Sequence, residues 1–253
     1  MAMQALFDLS GKIAVVTGAN TGIGQGIAVA LAEAGASIVA VGRSSMDETE
    51  ALVASAGTKF HVIKADLGTI EPVKPIVAEA LERFGGLDIL VNNAGIIRRA
   101  DAIDFTEEDW DAVMNVNLKT AFFLSQAAAR HMLEKGRGKI INIASLLSFQ
   151  GGIRIPSYTA SKSGLAGLTR LLACEWAGKG VNVNAIAPGY FVTNNTTALR
   201  EDADRNASIL ARIPAGRWGE PGDIGGAAVF LASSASDYVH GTVLPVDGGW
   251  LAR

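Results

Sequence analysis

A β-branched apolar run, Lys12-Ile-Ala-Val-Val-Thr17, leads into Gly18-Ala-Asn-Thr-Gly22-Ile-Gly24. Apolar residues then recur at Ile27, Leu31 and Ala34 and stop at Gly35. Read in order, these residues predict a buried strand, a glycine turn and an amphipathic helix. Glycines lack Cβ, so the backbone of such a turn can approach a pyrophosphate group. The helix amino end adds N–H donors and a partial positive charge. The spacing is G-x-x-x-G-x-G rather than G-x-G-x-x-G, but the physics is the same. The turn therefore offers Gly18, Asn20, Thr21, Gly22, Ile23 and Gly24 as contacts to a dinucleotide.

The same alternation continues down the chain. Strands are predicted at Ser37–Val41, Phe60–Lys64, Leu87–Val91, Ile140–Ser145 and Val181–Ala187, with a last strand and turn over Thr242–Gly249. Helices are predicted between them, over 70–84, 106–135, 157–178 and 223–232. Residues 1–10 read as a short arm. About six strand–helix repeats predict an α/β protein, a single-domain Rossmann-type doubly wound parallel sheet spanning 1–253. Ligands of such sheets lie at the carboxyl ends of the strands. There Gly42-Arg43 should meet a ribose, Asp66 and Leu67 should meet adenine, and Asn93, Ala94 and Gly95 should let a cofactor lie close. Pro188-Gly189 ends the sixth strand at the same edge. Residues 190–217 break the alternation with a polar excursion, placed where a substrate lid belongs.

With 253 residues and a net charge of -3 the chain can bury a large core. Without a basic run it offers nothing to nucleic acid or an anionic membrane. Its single cysteine, Cys174, falls on the apolar face of a predicted helix, so no disulfide framework is expected. His61, His131 and His240 lack ligand spacing, and no metal site is expected. No basic-then-apolar leader and no membrane-length apolar run occur, so a soluble cytoplasmic protein is expected.

Chemistry concentrates in two stretches. Ile140-Ile-Asn-Ile-Ala-Ser145 places a serine at the end of a buried strand. Tyr158-x-x-x-Lys162 then sets a phenol and an ammonium on one helix face. A phenol titrates near pH ~10, and a nearby ammonium favours its ionised form, bringing it closer to acid–base use. Ser145 could hold a substrate oxygen beside Tyr158. Asn117, in mid-helix, needs a partner for its amide.

Thr17-Gly18-x-x-x-Gly22-x-Gly24, Asn92-Asn-Ala-Gly95, Asn117, Ser145, Tyr158-x-x-x-Lys162 and Pro188-Gly189 resemble, in order along the whole chain, the short-chain dehydrogenase/reductase family. The resemblance implies that Tyr158 is the acid–base group and that Ser145 holds the reacting oxygen. Lys162 would lower the tyrosine pKa and bind the nicotinamide ribose, and Asn117 would hold a relay water. It also implies that Phe191 and Thr193 join Pro188 and Gly189 in contacting the cofactor. Further stretches, Asn92–Arg99, Ser148–Arg154, Tyr190–Thr196 and Asp247–Arg253, resemble the branch acting on keto-deoxy sugar acids of the 2-dehydro-3-deoxy-D-gluconate or 2-deoxy-D-gluconate type.

The expected activity is hydride transfer between NAD or NADP and such an acid. Gln150, Arg154 and Arg99, with Ser145 and Tyr158, are the candidate substrate contacts, and Arg98 is a further candidate for the carboxylate. Gluconate 5-dehydrogenase and 3-oxoacyl-thioester reductase activities are the alternatives within enzymes. A catalytically silent NAD(P)-binding scaffold is the alternative outside them. The resemblance leans towards NAD, whereas Gly42 followed by Arg43 and Ser44 leans towards NADP, because no acidic group repels a 2′-phosphate. Family members are usually tetramers. Apolar residues on helix 106–135 (Trp110, Val113, Met114, Phe122, Phe123) and helix 157–178 (Leu165, Leu168, Leu171, Leu172, Trp176) predict a homotetramer.

Overall fold

A computed structural model describes residues 3–253. Seven strands form one sheet: β1 (Ile13–Thr17), β2 (Ser37–Gly42), β3 (Phe60–Lys64), β4 (Ile89–Asn92), β5 (Gly138–Ile143), β6 (Val181–Pro188) and β7 (Val243–Val246). Every pairing is parallel and the order is β3-β2-β1-β4-β5-β6-β7. The order reverses between β1 and β4, which is the switch point of a doubly wound sheet. Chain order also gives the helices α1 (Met3–Leu6), α2 (Gly22–Glu33), α3 (Asp47–Ala54), α4 (Val73–Phe84), α5 (Glu107–Met114), α6 (Ala121–Lys135), α7 (Pro156–Trp176), α8 (Thr197–Glu201), α9 (Ala203–Leu210) and α10 (Gly225–Ala232).

The period of two along the strands sorts the core into two layers. Ala14, Val16, Ile38, Ala40, Ile89 and Val91 face a layer with Ile27 and Leu31 of α2 and Ala228 and Leu231 of α10. Val15, Val39, Val41 and Leu90 face the opposite layer, with Ile76 and Ala80 of α4, Leu124 and Met132 of α6 and Leu172 of α7. Strands β1, β4 and β6 are almost wholly buried because helices cover both faces, while the edge strands β3 and β7 are not. Among the described residues no helix is long and apolar enough to cross a membrane.

Four expectations change. The helix expected over 106–135 is two helices joined by a π-helical turn, Asn115–Thr120. That wide turn brings both Asn117 and Thr120 to buried positions. The helix expected from residue 70 starts at Val73, after Pro72. Cys174 is exposed rather than on the apolar face, because α7 buries its neighbours Leu172, Ala173 and Trp176 instead. The apolar surplus on the two long helices is also smaller than expected. Val113, Leu165, Leu172 and Trp176 are buried within the chain itself, leaving Trp110 and Leu171 exposed.

Candidate active site

The strand β1 hands the chain to α2 through a turn whose shape is dictated by close contact. Gly18 has φ +64°, in the left-handed region. A Cβ on Gly24 would lie 2.1 Å from the Gly18 carbonyl oxygen, so no larger residue fits there. Thr21 precedes α2 in extended conformation and makes no side-chain cap, leaving the first N–H groups of the helix without a side-chain partner. Two cavities of about 370 and 530 Å³ open at this edge. They share Gly18, Asn20, Ala94 and Gly95 and form one cleft across the switch point.

The cleft gathers most of the expected residues. Its first part is lined by the glycine turn from Gly18 to Gly24, by Asn93, Ala94 and Gly95, and by Ser145, Tyr158 and Lys162. Pro188, Gly189, Phe191 and Thr193 complete that wall. Arg43, Asp66 and Leu67 line the second part. Arg43 Nη1 lies 3.9 Å from Asp66 Oδ1, both exposed, so this pair is loose and open to a ligand.

Asn117 sits behind the cleft rather than in its lining. Its Oδ1 accepts from the Ile96 N–H at 2.8 Å, and its Nδ2 donates to the Ile96 carbonyl at 3.0 Å and to Ser161 Oγ at 3.2 Å. The amide thus finds its partners on the loop after β4 and on α7. Ser161 in turn donates to the Tyr158 carbonyl at 2.8 Å.

Lys162 is 4 % exposed, and its Nζ donates to the Ile143 carbonyl at 2.6 Å, 5.7 Å from the centre of the Tyr158 ring. Burial pulls its ammonium down to a pKa of about 8. The Tyr158 phenol is pushed above its ordinary value by burial, opposed by hydrogen bonding with Ser145 and by the Arg99 charge. Burial therefore outweighs both opposing pulls. At neutral pH the phenol keeps its proton.

The expected substrate contacts separate. Arg154, with φ +64°, pairs with Asp101 at 3.0 Å, and Arg98 pairs with Asp109 at 3.1 Å. Neither is a free cation, and Arg154 lies outside the cleft lining. Gln150 also lies outside it, with Oε1 accepting from Trp250 Nε1 at 3.1 Å. Arg99 likewise lies outside the cleft lining, pairs with no carboxylate among the described residues, and donates to the Asn195 carbonyl at 3.4 Å. Residues Asn194, Asn195 and Thr196, expected only as part of the polar excursion and not as individual site residues, line the cleft from the excursion after β6. Their signal was the Thr193-x-x-Thr196 spacing, which forms a reciprocal cap here. No three His, Cys, Asp or Glu side chains converge among the described residues.

Fold and cleft together define a dinucleotide-dependent oxidoreductase. The family model described as Enoyl-(Acyl carrier protein) reductase matches residues 18–251. The 2-dehydro-3-deoxy-D-gluconate 5-dehydrogenase of Escherichia coli (strain K12) is 60% identical over 248 residues, covering 98% of both chains. A crystal structure from Agrobacterium tumefaciens with bound NADP is 61% identical, covers 98% of this chain and 99% of that one, and superposes with a TM-score of 0.93. A gluconate 5-dehydrogenase from Burkholderia cenocepacia J2315, in complex with NADP and tartrate, is 42% identical, covers 99% of each chain and has a TM-score of 0.93. The chain belongs to the short-chain dehydrogenase/reductase family, NAD(P)-dependent oxidoreductases acting on CH–OH groups.

The buried ammonium has a consequence for stability. Between a folded pKa of about 8 and the ordinary 10.5, the unfolded chain binds a proton that the folded chain has released. Stability therefore rises with pH through that window, and the full cost of burial applies below pH 8. Relative to Lys162→Met, the wild type should gain roughly 2 kcal/mol between about pH 7.5 and about pH 9.5. Urea unfolding of both proteins without cofactor measures this. A gap that does not change with pH would mean that the ammonium is not desolvated.

Proposed function

We propose that the protein transfers hydride between NADP(H) or NAD(H) and a keto-deoxy sugar acid of the 2-dehydro-3-deoxy-D-gluconate type. The observation that carries the reading is the convergence of Ser145, Tyr158 and Lys162 on one wall of a cleft whose other wall is the glycine turn. The substrate class rests on the kinship with the sugar-acid dehydrogenase of Escherichia coli. It is supported by Arg99, which pairs with no carboxylate among the described residues and donates to the carbonyl of Asn195, a residue that lines the cleft.

The glycine turn and the α2 amino end would hold the pyrophosphate, and Arg43 and Asp66 would flank the adenosine end. The nicotinamide cofactor supplies the hydride donor or acceptor. In the reducing direction Tyr158, protonated at neutral pH, gives its proton to the carbonyl oxygen while Ser145 hydrogen-bonds that oxygen. Lys162, its Nζ 5.7 Å from the ring centre, is the proton source from which the phenolate is refilled, and is itself reprotonated from solvent. Asn117, locked to Ile96 and Ser161, fixes the spacing between the loop after β4 and α7. Residues 190–217 act as the substrate lid.

The lone, unpaired cysteine suits a reducing cytoplasmic setting. Trp110 and Leu171, 39 % and 50 % exposed on α5 and α7, favour packing against further copies in a homotetramer. Light scattering at working concentration should give four times the chain mass, and a monomer would overturn this reading.

Two substitutions test the chemistry. Tyr158→Phe removes only the acid–base hydroxyl and should lower kcat by ~10²–10⁴-fold while leaving cofactor affinity intact. Retention of most turnover would reject the mechanism. At the other end of the cleft, Gly42 carries no charge to repel a 2′-phosphate, and Arg43 pairs only loosely with Asp66. NADP(H) should be used at least as well as NAD(H). Arg43→Ala should weaken NADP(H) by about 1.5–3 kcal/mol and NAD(H) much less. Steady-state kcat/KM for both cofactors decides; a strong wild-type preference for NAD(H) removes the argument from Arg43.

A further inference from the structure

Arg200 lies on α8, in the lid, and its position is anomalous. Its Nε is buried and has no hydrogen-bond partner. The guanidinium makes one marginal contact, Nη2 to Thr197 Oγ1 at 3.4 Å. Neighbouring arginines are satisfied otherwise: Arg98 by Asp109, Arg154 by Asp101, Arg217 by Asp223 at 2.6 Å and Arg212 by stacking 3.9 Å over Trp250. Among the described residues Arg200 forms no ion pair. A half-buried guanidinium with an unsatisfied N–H is unfavourable unless an anion completes it.

The geometry says where that anion would come from. Thr196 lines the cleft and is the residue from which α8 starts, and Arg200 lies within that five-residue helix. Helical side chains lean back towards the amino end, and the Thr197 contact shows Arg200 doing so. Its guanidinium is therefore carried back towards the turn Thr193–Thr197, where Thr193, Asn194, Asn195 and Thr196 all border the cleft. Arg99 reaches the same turn from the loop after β4, at the Asn195 carbonyl. Two cations that pair with no carboxylate among the described residues thus contact one turn bordering the cleft.

We propose that Arg200 is the lid's half of an anion clamp, with Arg99 as the other half, and that the clamp takes the substrate's carboxylate. The inference rests on the sugar-acid reading above. A carboxylate in the clamp would give the Arg200 Nε its missing acceptor and pull α8 onto the substrate. It would also draw Arg99 away from the Asn195 carbonyl. Specificity for acids over neutral sugars would then come from the lid, which closes favourably only over an anion.

Arg200→Gln keeps hydrogen-bonding capacity and removes the charge, and Arg200→Lys keeps the charge without the fork. With a keto-deoxy sugar acid and its carboxamide as paired substrates, Arg200→Gln should lower the acid-to-amide ratio of kcat/KM by roughly 10- to 100-fold, mainly through KM. Arg200→Lys should recover part of that ratio. Titration of tartrate into the NADP complex should show the same ordering, the glutamine variant binding it at least tenfold more weakly than wild type (about 1.4 kcal/mol). Equal losses on acid and amide would assign Arg200 a structural role. Weakened NADP(H) binding with an unchanged ratio would assign it to a cofactor phosphate; either outcome overturns the clamp. Should the wild type turn over no sugar acid, the proposed function fails, and the tartrate titration alone decides the clamp.

Discussion

Thr17 and Asn93 close the molecule at the one place where its topology would let it open. On either side of the switch point, β1 and β4 send their chains to opposite faces of the sheet, so their carboxyl ends diverge. The Thr17 hydroxyl accepts from the N–H groups of Asn93 at 3.0 Å and Ala94 at 2.9 Å, and donates to the Val91 carbonyl at 3.3 Å. Asn93 Nδ2 returns two bonds, to the carbonyls of Thr17 and Gly18. These bonds set how closely the glycine turn lies against the loop after β4. That closeness is why Gly24 has no room for a side chain, since a Cβ there would stand 2.3 Å from Asn93 Nδ2. The floor of the cleft is thus a by-product of satisfying backbone groups that the divergence leaves unpaired.

A second polar chain extends from this floor into the helices. Asn92 Nδ2 donates to Ser125 on α6 and to Asn142 on β5, and Asn142 donates to Thr169 on α7, each at 2.9 Å. Asn117 and Ser161 repeat the pattern nearer the cleft, joining the π-helical turn to α7. Buried polar groups cost stability when unsatisfied, and a network with its donors placed fixes geometry in a way an apolar core does not. Ser148 and Ser163 add bonds between α7 and the turn after Ser145, through the carbonyls of Lys162 and Leu147. Together these contacts hold a serine from a strand and a phenol from a helix in one register, with the ammonium buried between helix and sheet.

Sheet and cleft were legible because their signals are local. Each strand is a short apolar run closed by glycine or a polar residue, and the cleft residues follow from where those runs end. The features that were missed depend on partners far away in sequence. Helix α3 buries only Thr49 and Val53, so its apolar pattern is too sparse to read, although Asp47, Glu48 and Glu50 enrich its first turn. The π-helical turn at Asn117 reflects bonds to Ile96 and Ser161 that no spacing announces. Arg154 is a candidate carboxylate anchor by its paired N–H donors, but a pairing with Asp101, fifty-three residues back, decides its direction. Charge type was readable from sequence; charge partner was not.

The excursion after β6 shows the same rule in reverse. Its composition reads as polar surface, yet Ile209, Ile213 and Trp218 are buried in a small core of their own with Leu146 and Trp250. Trp250 comes from the last residues of the chain, stacks beneath Arg212, meets Tyr190 at 4.7 Å between ring centres and donates to Gln150. Leu146 follows Ser145 directly. The excursion is therefore neither a loose loop nor part of the main sheet core, but packs against Leu146, Trp218 and Trp250 and so touches the neighbour of Ser145. Contact with Leu146 ties its position to the serine, and bonds from the Ala215 N–H to the Gly248 carbonyl and from Arg253 to the Ala211 carbonyl tie it to the segment after β7.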